Sequence, residues 1–169
     1  MATVIAIGQP ENEDERQAIR WLRDKLPISY EMFHNFEIER DGQKYEIDMA
    51  ILAPHAVWLV DVKGTRGNIT VYGSSWHPEG RSPFTSPLPK LRHHAKSLRG
   101  MLLDSNRGRL DLDRIHFGAA IILTAPDANL IDTTGLEAGN VCKLKDSQAF
   151  LQDGSREAVT HSPLAVFTE

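Results

Sequence analysis

The clearest pattern in the chain is a short apolar run at residues 56–64, which predicts a buried β-strand ended by glycine. Strand alternation sends Asp61 and Lys63 to the same face as Val57 and Leu59. Charges are costly to bury beside apolar neighbours, so this pair needs an explanation. One interpretation is a salt bridge at the strand end. The other is a metal-dependent site, with Asp61 on a divalent ion and Lys63 beside a reacting phosphate.

Helical periodicity predicts a first helix over residues 10–26, with Pro10 at its start. Its apolar stripe consists of Ala18, Ile19, Leu22 and Leu26. Glu15 lies three and four residues before the first two of these, so it shares their buried stripe. Two interpretations of Glu15 stay open. It is either a carboxylate that only stabilises the helix start, or one that points over the sheet.

Two strands are predicted at residues 30–39 and 43–52, joined by a tight Asp41-Gly42 turn. Alternation along the second strand places Asp48 on the same face as Ala50 and Leu52, an awkward position for a solvated charge. A further turn leads into residues 56–64. Three consecutive antiparallel strands are therefore expected.

The rest of the chain completes an α/β pattern in the order αβββαβ, a mixed sheet flanked by helices. The predicted elements are a strand at 68–72, an irregular surface loop at 74–89, a second helix from Pro87 or Pro89 to about 105–108, a central strand at 115–123, a loop at 124–139, a short strand at 141–144 and a short helix at 146–152.

Composition places the chain among ordinary globular domains, with 169 residues of which 41% are apolar and 25% charged. Cys142 is the single cysteine, which excludes an intramolecular disulfide and a cysteine-based zinc cluster and fits a reducing, cytoplasmic setting. The apolar start at residues 1–7 is too short for a signal peptide or a membrane span, and it is consistent with an edge strand.

The net charge is −4, but the basic residues are concentrated in one stretch. Residues 81–109 contain a single acid, Asp104, and seven basic residues: Arg81, Lys90, Arg92, Lys96, Arg99, Arg107 and Arg109. Such a stretch is either a phosphate-facing patch or a solvated helix face. Adjacent histidines point about 100° apart on a helix, so His93 and His94 are interpreted as structural or surface residues, like His34, His55 and His116.

The carboxylates occur in an order that brings them together. Asp48 precedes and Asp61 follows the turn between two neighbouring strands, and Glu15 lies on a helix packed against them. Hard divalent cations prefer such oxygen ligands, and the carbonyl of Val62 is a further candidate ligand. Lys63 would then orient a water molecule or offset charge on a phosphate.

This set of residues resembles the PD-(D/E)xK nuclease pattern and, more closely, a NERD (nuclease-related) domain. The matching pieces are Glu15, Glu46-Ile47-Asp48, Val60-Asp61-Val62-Lys63-Gly64, Gly67-Asn68-Ile69, Trp76 and Ser86-Pro87. The resemblance covers roughly residues 11–105. Family members more often have glutamate at the position of Asp61, and glutamine at the position of Lys90.

The resemblance implies a restriction-endonuclease-like core and Mg²⁺- or Mn²⁺-dependent hydrolysis of DNA. It implies metal-site roles for Glu15, Asp48 and Asp61 and a catalytic role for Lys63. The second helix is the expected contact for the DNA backbone, through Lys90, Arg92, Lys96 and Arg99. The alternative is a catalytically silent module of the same fold that binds nucleic acid or a partner protein.

The expected domain organisation is a nuclease-related domain over residues 1–153. An irregular extension over residues 154–169 is expected to lead into a further domain, of kinase or helicase type by family resemblance. The domain is expected to be cytoplasmic, without membrane association, and homodimerisation is a further possibility.

Overall fold

The computed structural model describes residues 1–106 and 115–153. Arg107, Arg109 and the extension at 154–169 therefore lie outside the described residues. The helices are α1 (Glu13–Lys25), α2 (Pro87–Asn106) and α3 (Ser147–Gln152). The strands are β1 (Thr3–Ala6), β2 (Glu31–Arg40), β3 (Gln43–Leu52), β4 (Ala56–Lys63), β5 (Asn68–Tyr72), β6 (Ser75–Pro78), β7 (Phe84–Thr85), β8 (His116–Leu123), β9 (Asn129–Ile131) and β10 (Val141–Lys143).

The main sheet has six strands in the order β1-β2-β3-β4-β8-β10. Strands β2, β3 and β4 pair antiparallel, whereas β4 pairs parallel with β8. The predicted α/β class, the αβββαβ order and the edge strand at the start of the chain are confirmed. A parallel pair in the middle of the sheet explains why β4 and β8 are apolar along nearly their whole length.

Two apolar clusters cover the two faces of this sheet. On one face, Ala18 and Leu22 of α1 pack with Trp58 of β4. On the other face, Leu88 and Leu91 of α2 pack with neighbouring β4 side chains. Burying a leucine fully stabilises the fold by about 2 kcal/mol, so these contacts fix both helices against the strand that carries Asp61 and Lys63.

The predicted start of the first helix at Pro10 is wrong. The helix begins at Glu13, and Asn12 caps it by accepting a hydrogen bond from the Glu15 amide at 2.9 Å. Asparagine is among the preferred N-cap residues because its side-chain oxygen satisfies an otherwise unpaired amide of the first turn. The predicted burial of Glu15 is confirmed, since only 4% of it is exposed.

The loops predicted at 74–89 and 124–139 are also wrong, because both contribute to a second sheet. This sheet has four strands in the order β7-β6-β5-β9. Its strands are only two to five residues long, and the glycines and prolines between them favoured a loop interpretation. Trp76 of β6 is fully buried in the apolar cluster that also contains Leu88 and Leu91 of α2, so the segment is part of the core.

The strict alternation predicted for β3 is interrupted at Asp48. Ile47 and Ala50 pack in one apolar cluster, whereas Met49 packs in the other. Opposite this point, Asn35 of β2 has a left-handed backbone with φ of 54°. The paired strands change face here, so Ile47 lies on the same side of the sheet as Ala50, although strict alternation would separate them.

None of the helices in residues 1–106 and 115–153 combines the length and the apolar character needed to cross a membrane.

Candidate functional site

A cavity of about 430 Å³ lies at the carboxyl end of β4, between the starts of α1 and α2. Its wall includes all four of the residues to which the sequence analysis gave metal-site or catalytic side-chain roles: Glu15, Asp48, Asp61 and Lys63. Val62 also lines this cavity, and its side chain is buried. The fold therefore brings side chains from α1, β3 and β4 to a common pocket.

Asp48 and Asp61 line the same cavity and influence each other electrostatically. Burial raises the pKa of Asp48 to about 8, with further contributions from the hydrogen bond and negative charge of Asp61 and then from Glu15 and Glu11. The raised pKa favours the neutral form of Asp48 beside the negative charge of Asp61. A pocket that disfavours a second negative charge in this way offers a cation a favourable position.

Lys63 forms an ion pair with Asp61, with 3.4 Å between Nζ and Oδ2. Both side chains lie at the end of β4, as alternation predicted. The salt bridge at the strand end, one of the two interpretations of this pair, is thus present, and it lies inside the cavity lined by the acids. The Lys63 ammonium lies at the cavity, so it can interact directly with an anion bound there.

Glu15 is fixed in the pocket wall by two hydrogen bonds to the same oxygen. Its Oε2 accepts from the Glu11 amide at 2.9 Å and from Asn35 Nδ2 at 3.1 Å. The Asn35 side-chain oxygen in turn contacts His34 Nδ1 at 2.6 Å. The left-handed residue of β2 therefore orients Glu15, a role for which the sequence contains no signal.

The three acids line one cavity, but no group of three His, Cys, Asp or Glu side chains within the described residues has the arrangement needed to hold a metal. Carboxylate oxygens are the ligands that a hard cation such as Mg²⁺ or Mn²⁺ prefers over softer donors.

The acids and the lysine all fall within residues 10–124, which match the family model of the nuclease-related domain (NERD). This match spans more than half of the 169 residues. The chain belongs to the nuclease-related domain family.

One curated relative of this nuclease-related domain is a probable kinase, PglW, from Streptomyces coelicolor. It is 27% identical over 113 residues, which cover 63% of this chain and 7% of PglW. The chain thus corresponds to a small part of that protein. No solved structure matches the chain.

The basic residues of the nuclease-related domain are spread around α2, so they do not form one wall. Of the four that the sequence analysis assigned to DNA, Lys90 lines the cavity. Arg92 donates to Asn140 Oδ1 at 3.1 Å, and Lys96 is exposed. Arg99 is half-buried. Lys90 is therefore the cation of α2 positioned beside the acids.

His94 also lines this cavity, which the sequence analysis did not anticipate. Burial, together with the positive charges of Lys90 and His93, lowers the pKa of His94. Its ring packs on Tyr45 with a centroid distance of 5.1 Å. The sequence did contain a signal for this position. His94 lies four residues after Lys90, and helical residues at that spacing share a face.

Proposed function

We propose that this chain is a metal-dependent nuclease domain that hydrolyses phosphodiester bonds in DNA. The single observation that carries the proposal is the convergence of Glu15, Asp48, Asp61 and Lys63 on one cavity. Membership of the nuclease-related domain family supports it. Gathering a buried Glu15 and the half-buried Asp48 and Asp61 in one pocket costs free energy, which a binding module without catalysis would not require.

Asp48, Asp61 and Glu15, with the carbonyl of Val62, would hold Mg²⁺ or Mn²⁺. Such an ion, when bound, polarises a phosphate and lowers the pKa of a water molecule. Lys63 orients the attacking water and offsets the negative charge that develops on the phosphate. Ion pairing with Asp61 keeps the Lys63 ammonium at the end of β4 before the substrate arrives.

The basic side of the site is proposed to hold the DNA backbone. Lys90 contacts the phosphate nearest the pocket, and Arg92, Lys96 and Arg99 contact more distant phosphates along α2. Backbone contacts of this kind release counterions, so DNA affinity is expected to fall steeply as salt rises. An affinity that does not change with salt would exclude α2 as the DNA contact.

PglW is a probable kinase and is much longer than the segment it shares with this chain. We propose that the nuclease domain acts while covalently linked to a further domain, of kinase type, in the cytoplasm. A homodimer is also proposed, and the mass of the purified protein in solution tests it.

The decisive test of the nuclease activity is Asp61→Asn, which keeps the size of the side chain and removes its charge. We expect metal-dependent cleavage of end-labelled DNA to be lost and Mn²⁺ binding by calorimetry to weaken strongly, while circular dichroism stays unchanged. Asp127→Asn is the matched control, since Asp127 is exposed and away from the cavity.

Cleavage retained by Asp61→Asn would remove the assignment. A wild-type protein that binds DNA but takes up no Mn²⁺ at millimolar concentration would instead identify the silent nucleic-acid-binding module.

A further inference from the structure

A buried carboxylate, Glu137, lies outside the segment that matches the family and contacts residues inside it. Only 7% of Glu137 is exposed. Its Oε2 accepts a hydrogen bond from the indole Nε1 of Trp76 at 3.1 Å, and its Oε1 accepts one from the hydroxyl of Ser86. Glu137 thus joins the second sheet to the residue immediately before α2.

Ser86 transmits this contact to the helix. Its oxygen also accepts a hydrogen bond from the amide of Leu88, the second residue of α2, at 3.2 Å, and Leu88 is completely buried. An amide in the first turn of a helix has no partner within the helix, so this bond anchors the turn. A continuous chain of hydrogen bonds therefore runs from Glu137 to the start of α2.

Glu137 is itself held in place by the segment around it. Asp132 Oδ2 accepts from the amides of Glu137 and Ala138 at 2.8 and 3.0 Å. Two residues further on, Asn140 Nδ2 donates to the carbonyl of Ala119 on β8 at 2.9 Å. The carboxylate is fixed by a structured loop on one side and by the central sheet on the other.

Burying a carboxylate against neutral donors is expensive compared with burying an apolar side chain. Glu137 makes no ion pair among the salt bridges found in residues 1–106 and 115–153. Its hydrogen bonds are nevertheless stronger than those of a neutral acceptor, because the acceptor is charged. A stronger hydrogen bond matters where a small displacement of a side chain has a large effect, as at the wall of a catalytic site.

We infer that Glu137 is a positioning residue for the candidate site. Through Ser86 it fixes the first turns of α2, so that Lys90 and His94 stay in the wall of the cavity that contains Asp61 and Lys63. This inference rests on the proposed nuclease function for its catalytic consequence. The geometric part, the position of α2, is measurable without it.

The test compares Glu137→Ala with Glu137→Gln and with Leu136→Ala, a neighbouring residue that is 75% exposed. In Glu137→Gln, the amide oxygen accepts from Trp76 and the amide nitrogen donates to Ser86, which still accepts from Leu88. We therefore expect this conservative variant to keep most of the wild-type kcat. In Glu137→Ala, kcat for DNA cleavage is expected to fall roughly ten- to a hundredfold through misplacement of the wall.

Mn²⁺ binding measured by calorimetry should be unchanged in all three variants, because the metal-site acids lie on α1, β3 and β4. A residue that only stabilised the core would lower Tm and leave the kcat of the folded protein unchanged. That result in Glu137→Ala would overturn the inference, as would a loss of kcat as large in Leu136→Ala.

Nuclear magnetic resonance decides the geometric part even if the wild-type protein does not cleave DNA. In Glu137→Ala, the Leu88 amide should exchange with solvent faster than in the wild type, and the His94 ring resonances should shift. In Glu137→Gln and Leu136→Ala both should stay close to wild type. Unchanged exchange and unchanged His94 resonances in Glu137→Ala would reject the positioning role, whereas absent wild-type cleavage would reject only the nuclease proposal.

Discussion

Helices α1 and α2 both begin at the candidate site, but their first turns have opposite chemistry. The first turn of α1 contains three acids, Glu13, Asp14 and Glu15, and no acid occurs in the first turn of α2. Lys90 follows in α2 and lines the cavity together with Glu15 of α1. One side of the pocket is therefore acidic and the other is basic.

The helix dipole explains the charges on the acidic side of the pocket but not those on the basic side. The start of a helix carries partial positive charge, so the acids of α1 are stabilised where they are. Lys90 lies near the same end of α2, where that charge opposes it. The negative charge of Asp61 across the cavity offsets this repulsion. Lys90 is thus stabilised by the negative charge in the pocket and not by the dipole of its own helix.

The two helices are also held by different means. On the acidic side, Asp14 of α1 accepts a hydrogen bond from Thr124 at 2.8 Å and lies against Gly64. On the basic side, the start of α2 depends on Glu137, which comes from a segment far along the chain. Each side can consequently be perturbed without the other.

The largest expected effect comes from Lys63→Ala, which removes the cation from the acidic side. Loss of one group that stabilises developing charge typically lowers kcat by about 10²–10³-fold. We expect this loss in cleavage assays, with Mn²⁺ affinity retained or tighter, because Asp61 loses its ion pair. Lys145→Ala, at an exposed position, is the control. Wild-type cleavage by Lys63→Ala would show that the ion pair only stabilises the strand end.

The acidic side was largely predictable from the sequence. Asp61 and Lys63 follow directly from strand period, and the burial of Glu15 follows from helix period. Asp48 was assigned by the same period to the face of Ala50 and Leu52, and it lines the pocket. The left-handed conformation of Asn35, which donates to Glu15, was not predicted.

The basic side was less predictable because its support is non-local. Trp76 and Ser86 occur in a segment whose prolines and glycines favour a loop, and their partner Glu137 is more than fifty residues away. The strands there are too short for periodicity to detect. Local pattern therefore identified the catalytic candidates, while long-range pairing determined how α2 is placed.

Gly64→Ala is expected to have an intermediate effect, on the anchoring of α1. A Cβ at this position would overlap Oδ2 of Asp14, so that side chain must move and its bond with Thr124 must weaken. Overpacking of this kind typically costs about 1–3 kcal/mol, measured as the free energy of unfolding in urea. Gly139→Ala is the control, because no atom outside its own helical turn and chain neighbours lies within 4 Å of its added Cβ. Equal stability of the two variants would mean that Asp14 does not brace α1.

The smallest expected effect concerns the basic side and its dependence on pH. Hydrogen bonds from Thr134, Glu137 and Ala138 hold the pKa of Asp132 at about 2, below its ordinary value of 3.8. Because the folded-state pKa is lowered, the stability from Asp132 is present above pH 3.8 and is lost as pH falls towards 2.

Asp132→Asn cannot titrate, so its Tm should lie slightly below that of wild type at neutral pH, and the two should converge near pH 2. Asp127→Asn should follow wild type throughout. If Asp132 supports Glu137, the Leu88 amide of the wild type should also lose protection over the same acid range. A difference in Tm that persists unchanged to pH 2 would show that the charge of Asp132 does not stabilise the segment around Glu137.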